Sequence, residues 1–402
     1  MIRARCIACG VVVALSSTAF VGVARAQQYR LRVDAFGESA DPAGFAMVTA
    51  SARERGPILV DAEALVWTGA ALGPDKSVEA QGEAVLASVR LRDASGYGEL
   101  RFGRLMFSGG AVRPLHLDGA VATARSPSGA ELQAFGGLPL KADFQGRGDD
   151  WLVGMRATQA ASEEGHVGFS YWQERESGRI ARSELGAEGS FTPLRAFALR
   201  GTAAIETVRV GLVEARVSAT LADGLDRLEL FGLRRSPSLM LPATSLFAAL
   251  GSYDADAVGL TGFYRVAPRL DMSASATVER VTDEAGATGW ARAELRLDDD
   301  GVGALGVEVR REFLPGTSWS GVRAWLRVPI AEDFSGSTEV EVAAPDDPRG
   351  RGVVWPWGLL SLRWTPIPSL DVAAGFEASS TPQYALSLGG LLRASGTWGR
   401  SR

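Results

Sequence analysis

Through most of this chain apolar and polar residues alternate one for one. The stretch from Val353 to Trp398 is the clearest case. Its first run sets Gly358, Leu360, Leu362 and Trp364 on one parity, with Ser361 and Arg363 on the other. After Thr365-Pro366-Ile367-Pro368, the second run opposes Leu370, Val372, Ala374 and Phe376 to Asp371, Gly375 and Glu377. After Ser379-Ser380-Thr381-Pro382, the third opposes Tyr384, Leu386, Leu388, Leu392, Ala394 and Trp398 to Ser387, Arg393 and Ser395. Successive side chains on a strand point to opposite faces, so a period of two specifies strands and excludes amphipathic helices. Each run is about as long as a strand that crosses a bilayer at a tilt, ~9–11 residues.

The same unit recurs upstream. Tyr29, Leu31 and Val33 oppose Arg30, Arg32 and Asp34; Val89 and Leu91 oppose Arg90 and Arg92; Leu100 and Phe102 oppose Glu99 and Arg101. Val213, Ala215 and Val217 oppose Glu214 and Arg216, and Ala293 and Leu295 oppose Arg292, Glu294 and Arg296. Val322, Ala324 and Leu326 oppose Arg323 and Arg327, and Val340 and Val342 oppose Glu339 and Glu341. Beyond the N-terminus no run of about 18 apolar residues offers a membrane helix. A net charge of −5 gives no basic field for nucleic acid.

Residues 1–26 read as a secretory signal: Arg3 and Arg5 lead, an apolar core follows, and Ala24-Arg25-Ala26 fits small-x-small cleavage. Residues 27–402 then form one domain. Both cysteines, Cys6 and Cys9, fall within the signal, so the exported chain is expected to carry neither disulfides nor thiol-based metal, haem or nucleophile chemistry.

Turns with proline recur between paired strands, at Phe191–Leu194, Val266–Leu270, Val328–Glu332 and Trp364–Pro368, with Asp223-Gly224 and Asp299-Asp300-Gly301 between them. Proline cannot donate to a ladder and sits at strand ends. The connections between these turns vary more: Arg235–Asp256, Asp283–Gly289, Pro345–Gly352 and Ser379–Pro382. Short turns at one end and longer loops at the other place the turns in the periplasm and the loops outside. On that layout Trp67, Trp151, Trp290, Trp319, Trp355 and Trp357 fall near outer strand ends and Trp364 at an inner end, as aromatic girdles would.

In this pattern the chain resembles Gram-negative outer-membrane β-barrel proteins of the porin type. The resemblance spans the exported chain without a diagnostic motif. The final run resembles the C-terminal assembly signal of that family, although Gly399-Arg400-Ser401-Arg402 follow Trp398. Glu99–Arg104, followed by a glycine-rich loop and Asp118-Gly119, is similar to a porin strand entering a loop. The expected fold is all-β: a closed antiparallel transmembrane barrel of roughly 18 to 22 strands, since no edge can remain in lipid. Strand side chains cannot fill so wide a barrel, so the interior holds water, a folded-in loop or a partner. Alternation begins at Tyr29, which leaves no preceding plug domain.

Reactive constellations are scarce. His116 and His166 lack the His-x-Ser pairing of outer-membrane phospholipases and lipid A deacylases, and His166 reads as a lumen or rim residue. Asp61 and Glu63 share a face and read as polar lining; Asp346-Asp347 and Asp298-Asp299-Asp300 read as solvated turns rather than calcium ligands. No catalytic, cofactor or metal site is assigned, and no enzyme activity is expected. The residues expected to line a pore are Arg90, Arg92, Glu99, Arg101, Glu214, Arg216, Arg292, Glu294, Arg296, Arg323, Arg327, Glu339, Glu341 and Arg363. The expected function is a passive outer-membrane channel for small polar solutes or ions, with outer-membrane lipid around it. The alternative is a conduit barrel for an export or envelope-spanning complex, with a periplasmic or envelope protein as partner.

Overall fold

The computed structural model describes residues 28–39, 43–72, 77–140, 151–236, 255–281, 284–314, 318–347, 353–380 and 386–400. The expected signal, 1–26, and most of the longest connection, at 237–254, lie outside the described residues. The alternating runs form 22 strands, the upper end of the expected range, all in one antiparallel sheet. Strand β1 (Gln28–Glu38) pairs with β2 (Ala43–Glu54) on one side and with β22 (Ser387–Arg400) on the other. The seam runs from Tyr29↔Arg400 to Glu38↔Leu391, so the ring closes without a free edge. Trp398 and the two residues after it are part of that seam.

The proline turns all lie at one end of the barrel. They join β10 (Arg179–Leu194) to β11 (Phe197–Glu206), β14 (Ala255–Ala267) to β15 (Leu270–Val281), β18 (Trp319–Ala331) to β19 (Phe334–Pro345), and β20 (Trp355–Ile367) to β21 (Leu370–Ser379). The register slips beside each one, at Phe191/Leu194, Arg265/Ala267, Pro329/Ala331 and Trp364/Ile367, where the ladder runs out. The stretch 284–289, expected as a connection, is instead the start of β16 (Glu284–Arg296), paired with β15 from Val281↔Glu284 onward. Its Ala and Gly residues alternate too weakly in polarity to read as a strand.

One parity of the strands is a largely apolar exposed surface, with Leu305, Val307, Val322, Leu360, Leu362 and Phe376 among its members. The other carries most of the ionised side chains. Followed strand by strand through the register, the two parities keep their faces around the whole ring. The apolar parity is the outer face, because a membrane barrel must turn apolar side chains to acyl chains. Five of the six tryptophans expected in an outer girdle, Trp67, Trp290, Trp319, Trp355 and Trp357, have inward parity; only Trp151 faces out. Their indoles serve the lumen instead of the interface. Trp357 Nε1 donates to Glu377 at 2.8 Å, and Trp325, also inward, donates to Glu294 at 3.2 Å.

Among the described residues the ladder breaks off early on both sides of one hairpin. Strand β4 (Val78–Asp93) pairs with β5 (Gly98–Gly109) only as far as Ala87↔Arg104. Strand β6 (Val112–Arg125) pairs with β7 (Ala130–Pro139) only from Leu117 onward. Between those points the β5–β6 hairpin leaves the wall. A row of glycines, Gly103↔Gly119↔Gly137, crosses the bend. Gly103 has φ +118°, and a Cβ there would lie 2.2 Å from the Ala87 carbonyl oxygen, so only glycine fits. Side chains replace the lost ladder along the bared β4 edge. Arg104 donates to the Ala84 carbonyl at 2.8 Å and to Glu83 at 2.7 Å, and His116 Nε2 lies 2.7 Å from the Val85 carbonyl oxygen.

Candidate functional site: the lumen and its inward hairpin

The hairpin packs on the charged parity of the strands beyond it, so it lies inside the barrel. Leu105, Phe107, Val112, Leu115 and Leu117 form a buried cluster with Phe135 of β7, Leu152 of β8 (Trp151–Ser162) and Trp172 of β9 (Gly165–Glu176). Leu105 and Leu117 are 0% exposed, and the Phe107 and Phe135 rings are 4.2 Å apart. Burying each such side chain stabilises the folded position by about 1.5–3 kcal/mol.

Polar contacts fix the tip. The Ala111 backbone N–H donates to Glu188 Oε2 of β10 at 2.8 Å, and Arg156 holds the same carboxylate. Arg113 pairs with Glu184, which also accepts from Trp172 Nε1 at 3.1 Å. Glu184 is 2% exposed. A carboxylate that far from water needs such partners, because losing one leaves an uncompensated buried charge.

The fourteen residues assigned to a pore all have inward parity. Four lie on β4 and β5: Arg90 donates to Asp61 at 2.8 Å, Arg101 pairs with Glu63, Arg92 stands opposite Glu99, and Glu99 also faces Arg125 at 3.5 Å. On β12 (Gly211–Asp223), Glu214 stands opposite Arg235, and Arg216 reaches Glu229 at 3.6 Å. From β16 to β21 the charges interleave. Arg292 pairs with Glu294, Arg296 with Asp271 and Arg323 with Glu339; Arg327 reaches Glu294 at 3.9 Å. Glu341 stands opposite Arg323 in the register, and Arg363 pairs with Asp371. Asp61 is shared by Arg53 and Arg90, which makes Asp61 and Glu63 members of an ion-pair ladder.

The remaining candidates have ordinary roles. His166 also has inward parity, and its Nδ1 lies 2.7 Å from Ser190 Oγ across the β9–β10 pair; among the described residues this is the ring's one hydrogen bond. Asp346 is held by both terminal nitrogens of Arg311, which keeps its carboxyl below the usual range. Asp298 accepts the Val302 and Gly303 backbone N–H groups and so closes its own turn, while Asp299 pairs with Arg269.

What sequence reasoning missed is the hairpin, and a signal for it exists. Up to Gly103 the inward residues of β5 are polar. From Leu105 onward the inward positions turn apolar while Met106, of outward parity, stays exposed.

No family model and no curated protein matches the chain. Among solved structures, the P pilus usher PapC translocation pore superposes with a TM-score of 0.59 at 9% identity, over 93% of this chain and 100% of that one. A crystal structure of the same usher pore gives 0.50 at 9% identity and the same coverage. OpdK of Pseudomonas aeruginosa, solved with vanillate, gives 0.41 at 12% identity over 93% and 98%. The fold is that of an outer-membrane β-barrel. At such identities the likeness is one of fold alone.

Proposed function

We propose that the chain is an outer-membrane channel that passes small polar solutes or ions through a lumen narrowed by the β5–β6 hairpin. A signal at 1–26 exports it, the proline turns face the periplasm, and it acts without an enzymatic step. The observation that carries this reading is the lumen itself. Ionised side chains of both signs line it, and an anchored internal segment restricts it. A conduit for a larger cargo is the second reading. It draws on the width of 22 strands and on the similar architecture of a translocation pore.

Conductance separates the two. Purified protein in a planar bilayer should open spontaneously, without a partner. A folded barrel that never conducts would favour the conduit. Cell fractionation should place the chain in the outer membrane, and recovery as a soluble periplasmic protein would end both readings.

Selectivity should be weak, because neither sign of charge dominates the field along the path. Replacing Arg323 and Arg327 together by Gln should shift reversal potentials toward cations. The shift should shrink in molar salt, where the screening length falls to ~3 Å. An unchanged reversal potential would mean that those two arginines do not face the conducting path.

A further inference from the structure

On the outer face, at the end opposite the proline turns, a row of ionisable side chains breaks the apolar surface. Ala215, Arg234, Asp256, Arg280 and Ala285 stand directly opposite one another on five consecutive strands, β12 to β16, with β13 spanning Asp226–Arg235. Their parity is that of Leu228, Leu230, Val258 and Val278, all exposed on the outer face. Arg234 Nη1 donates to both Asp256 oxygens, at 2.9 and 3.0 Å, and Arg280 Nη2 donates to Asp256 Oδ2 at 3.0 Å. One carboxylate thus holds two guanidinium groups side by side and leaves one positive charge in excess. Each guanidinium has five N–H donors, so most remain for another acceptor.

The height of the row matters. The 10 residues of β13, at ~3.3 Å each and tilted ~40°, rise ~25 Å, which is the height of the apolar band. Arg234 is next to last and sits where acyl chains give way to headgroups. Immediately below, the next row reads Val217↔Gly232↔Val258↔Val278. Gly232 leaves a gap between Val217 and Val258. It is part of a groove of about 540 Å³ walled by these residues and roofed by Arg234 and Arg280. A charge-binding fork at headgroup level over an acyl-sized apolar groove matches the two ends of one amphiphile.

We propose that this face binds a phosphorylated lipid of the outer leaflet, its phosphate on Arg234 and Arg280 and an acyl chain along the Gly232 groove. Arginine forks match phosphate geometry, and the low-dielectric surroundings strengthen each bond. The proposal rests on the outer-membrane reading for its orientation. Binding is measured on purified protein, so a negative result leaves that reading standing.

The experiment compares diphosphorylated lipid A, dephosphorylated lipid A and inorganic phosphate as probes of the detergent-folded barrel, with bound lipid counted by native mass spectrometry. The wild type should retain the phosphorylated lipid, and inorganic phosphate should not displace it. Arg234→Gln with Arg280→Gln should weaken retention by about tenfold per guanidinium lost. Gly232→Leu should weaken it with both arginines intact, since a Cβ there meets only Val217 at an ordinary 3.5 Å. Asp256→Asn should bind as tightly or more tightly, because it frees both forks. A row that merely stabilises the strands would lose retention in all three variants. Equal retention of the dephosphorylated lipid, displacement by phosphate alone, or an unaffected double arginine variant would each overturn the proposal.

Discussion

Replacing Phe107–Leu115 by a short turn, with His116 kept on the Val85 carbonyl, should raise single-channel conductance several-fold while the barrel still folds. The ring does not need those residues. Strand β5 pairs with β4 up to Arg104, β6 pairs with β7 from Leu117, and Gly103↔Gly119 keeps the two strands joined. Beyond Arg104 and His116, which hold the bared β4 edge, the hairpin occupies the lumen. The converse perturbation is smaller and more diagnostic. Leu105→Ala removes a fully buried side chain from the cluster against Trp172 and should loosen the hairpin by about 2–5 kcal/mol. Its expected signature is a noisy open level, as the hairpin leaves and rejoins its seat. Arg113→Ala should do likewise, because it removes the guanidinium paired with the buried Glu184 carboxylate and leaves it only Arg182, at 4.0 Å, and the Trp172 Nε1 donor. Unchanged conductance in the deletion variant would mean that the path runs elsewhere in the lumen.

Arginine in place of Leu326 or Leu362 should cost about 2–4 kcal/mol of folding stability in lipid, because both sit mid-strand on the outer face. Leu326 is the eighth of 13 residues in β18, and Leu362 the eighth of 13 in β20. Leu295 shares the outer face and by sequence alone belongs with them. The structure places it next to last in β16, at the rim, where the same change should cost only about 0–1 kcal/mol. Arg296→Leu, on the inner face, should also be mild, since Asp271 keeps its bond from Arg265 at 2.7 Å. Urea titration of the folded barrel in lipid vesicles measures all four. Equal damage at Leu326 and Arg296 would overturn the assignment of faces.

The chain's local chemistry determined a good deal. Period-two alternation set the secondary structure. The lack of a helix-length apolar run beyond residues 1–26, together with strands of bilayer length, implied closure, because an open edge in lipid leaves backbone groups unpaired. The proline turns marked one end of the barrel, since proline cannot continue a ladder. The charged parity was legible as a set, residue by residue from Arg90 to Arg363. Which tryptophans would face in was not legible by counting strand ends; it follows from parity once the register is fixed, as Trp357 and Trp290 show.

Tertiary structure decided what alternation cannot encode. A strand pattern states that two faces differ, but not where a strand leaves its neighbours. The β5–β6 departure depends on Gly103, Gly119 and Gly137 meeting in one row from three separate strands, and on Trp172 and Leu152 supplying an apolar seat inside a polar lumen. The Arg234–Asp256–Arg280 row likewise comes from register, which brings residues 46 positions apart into one line at headgroup height. Local sequence fixes side-chain direction because the backbone is pleated. Long-range pairing fixes neighbours, and both the narrowed lumen and the outer basic row are properties of neighbours.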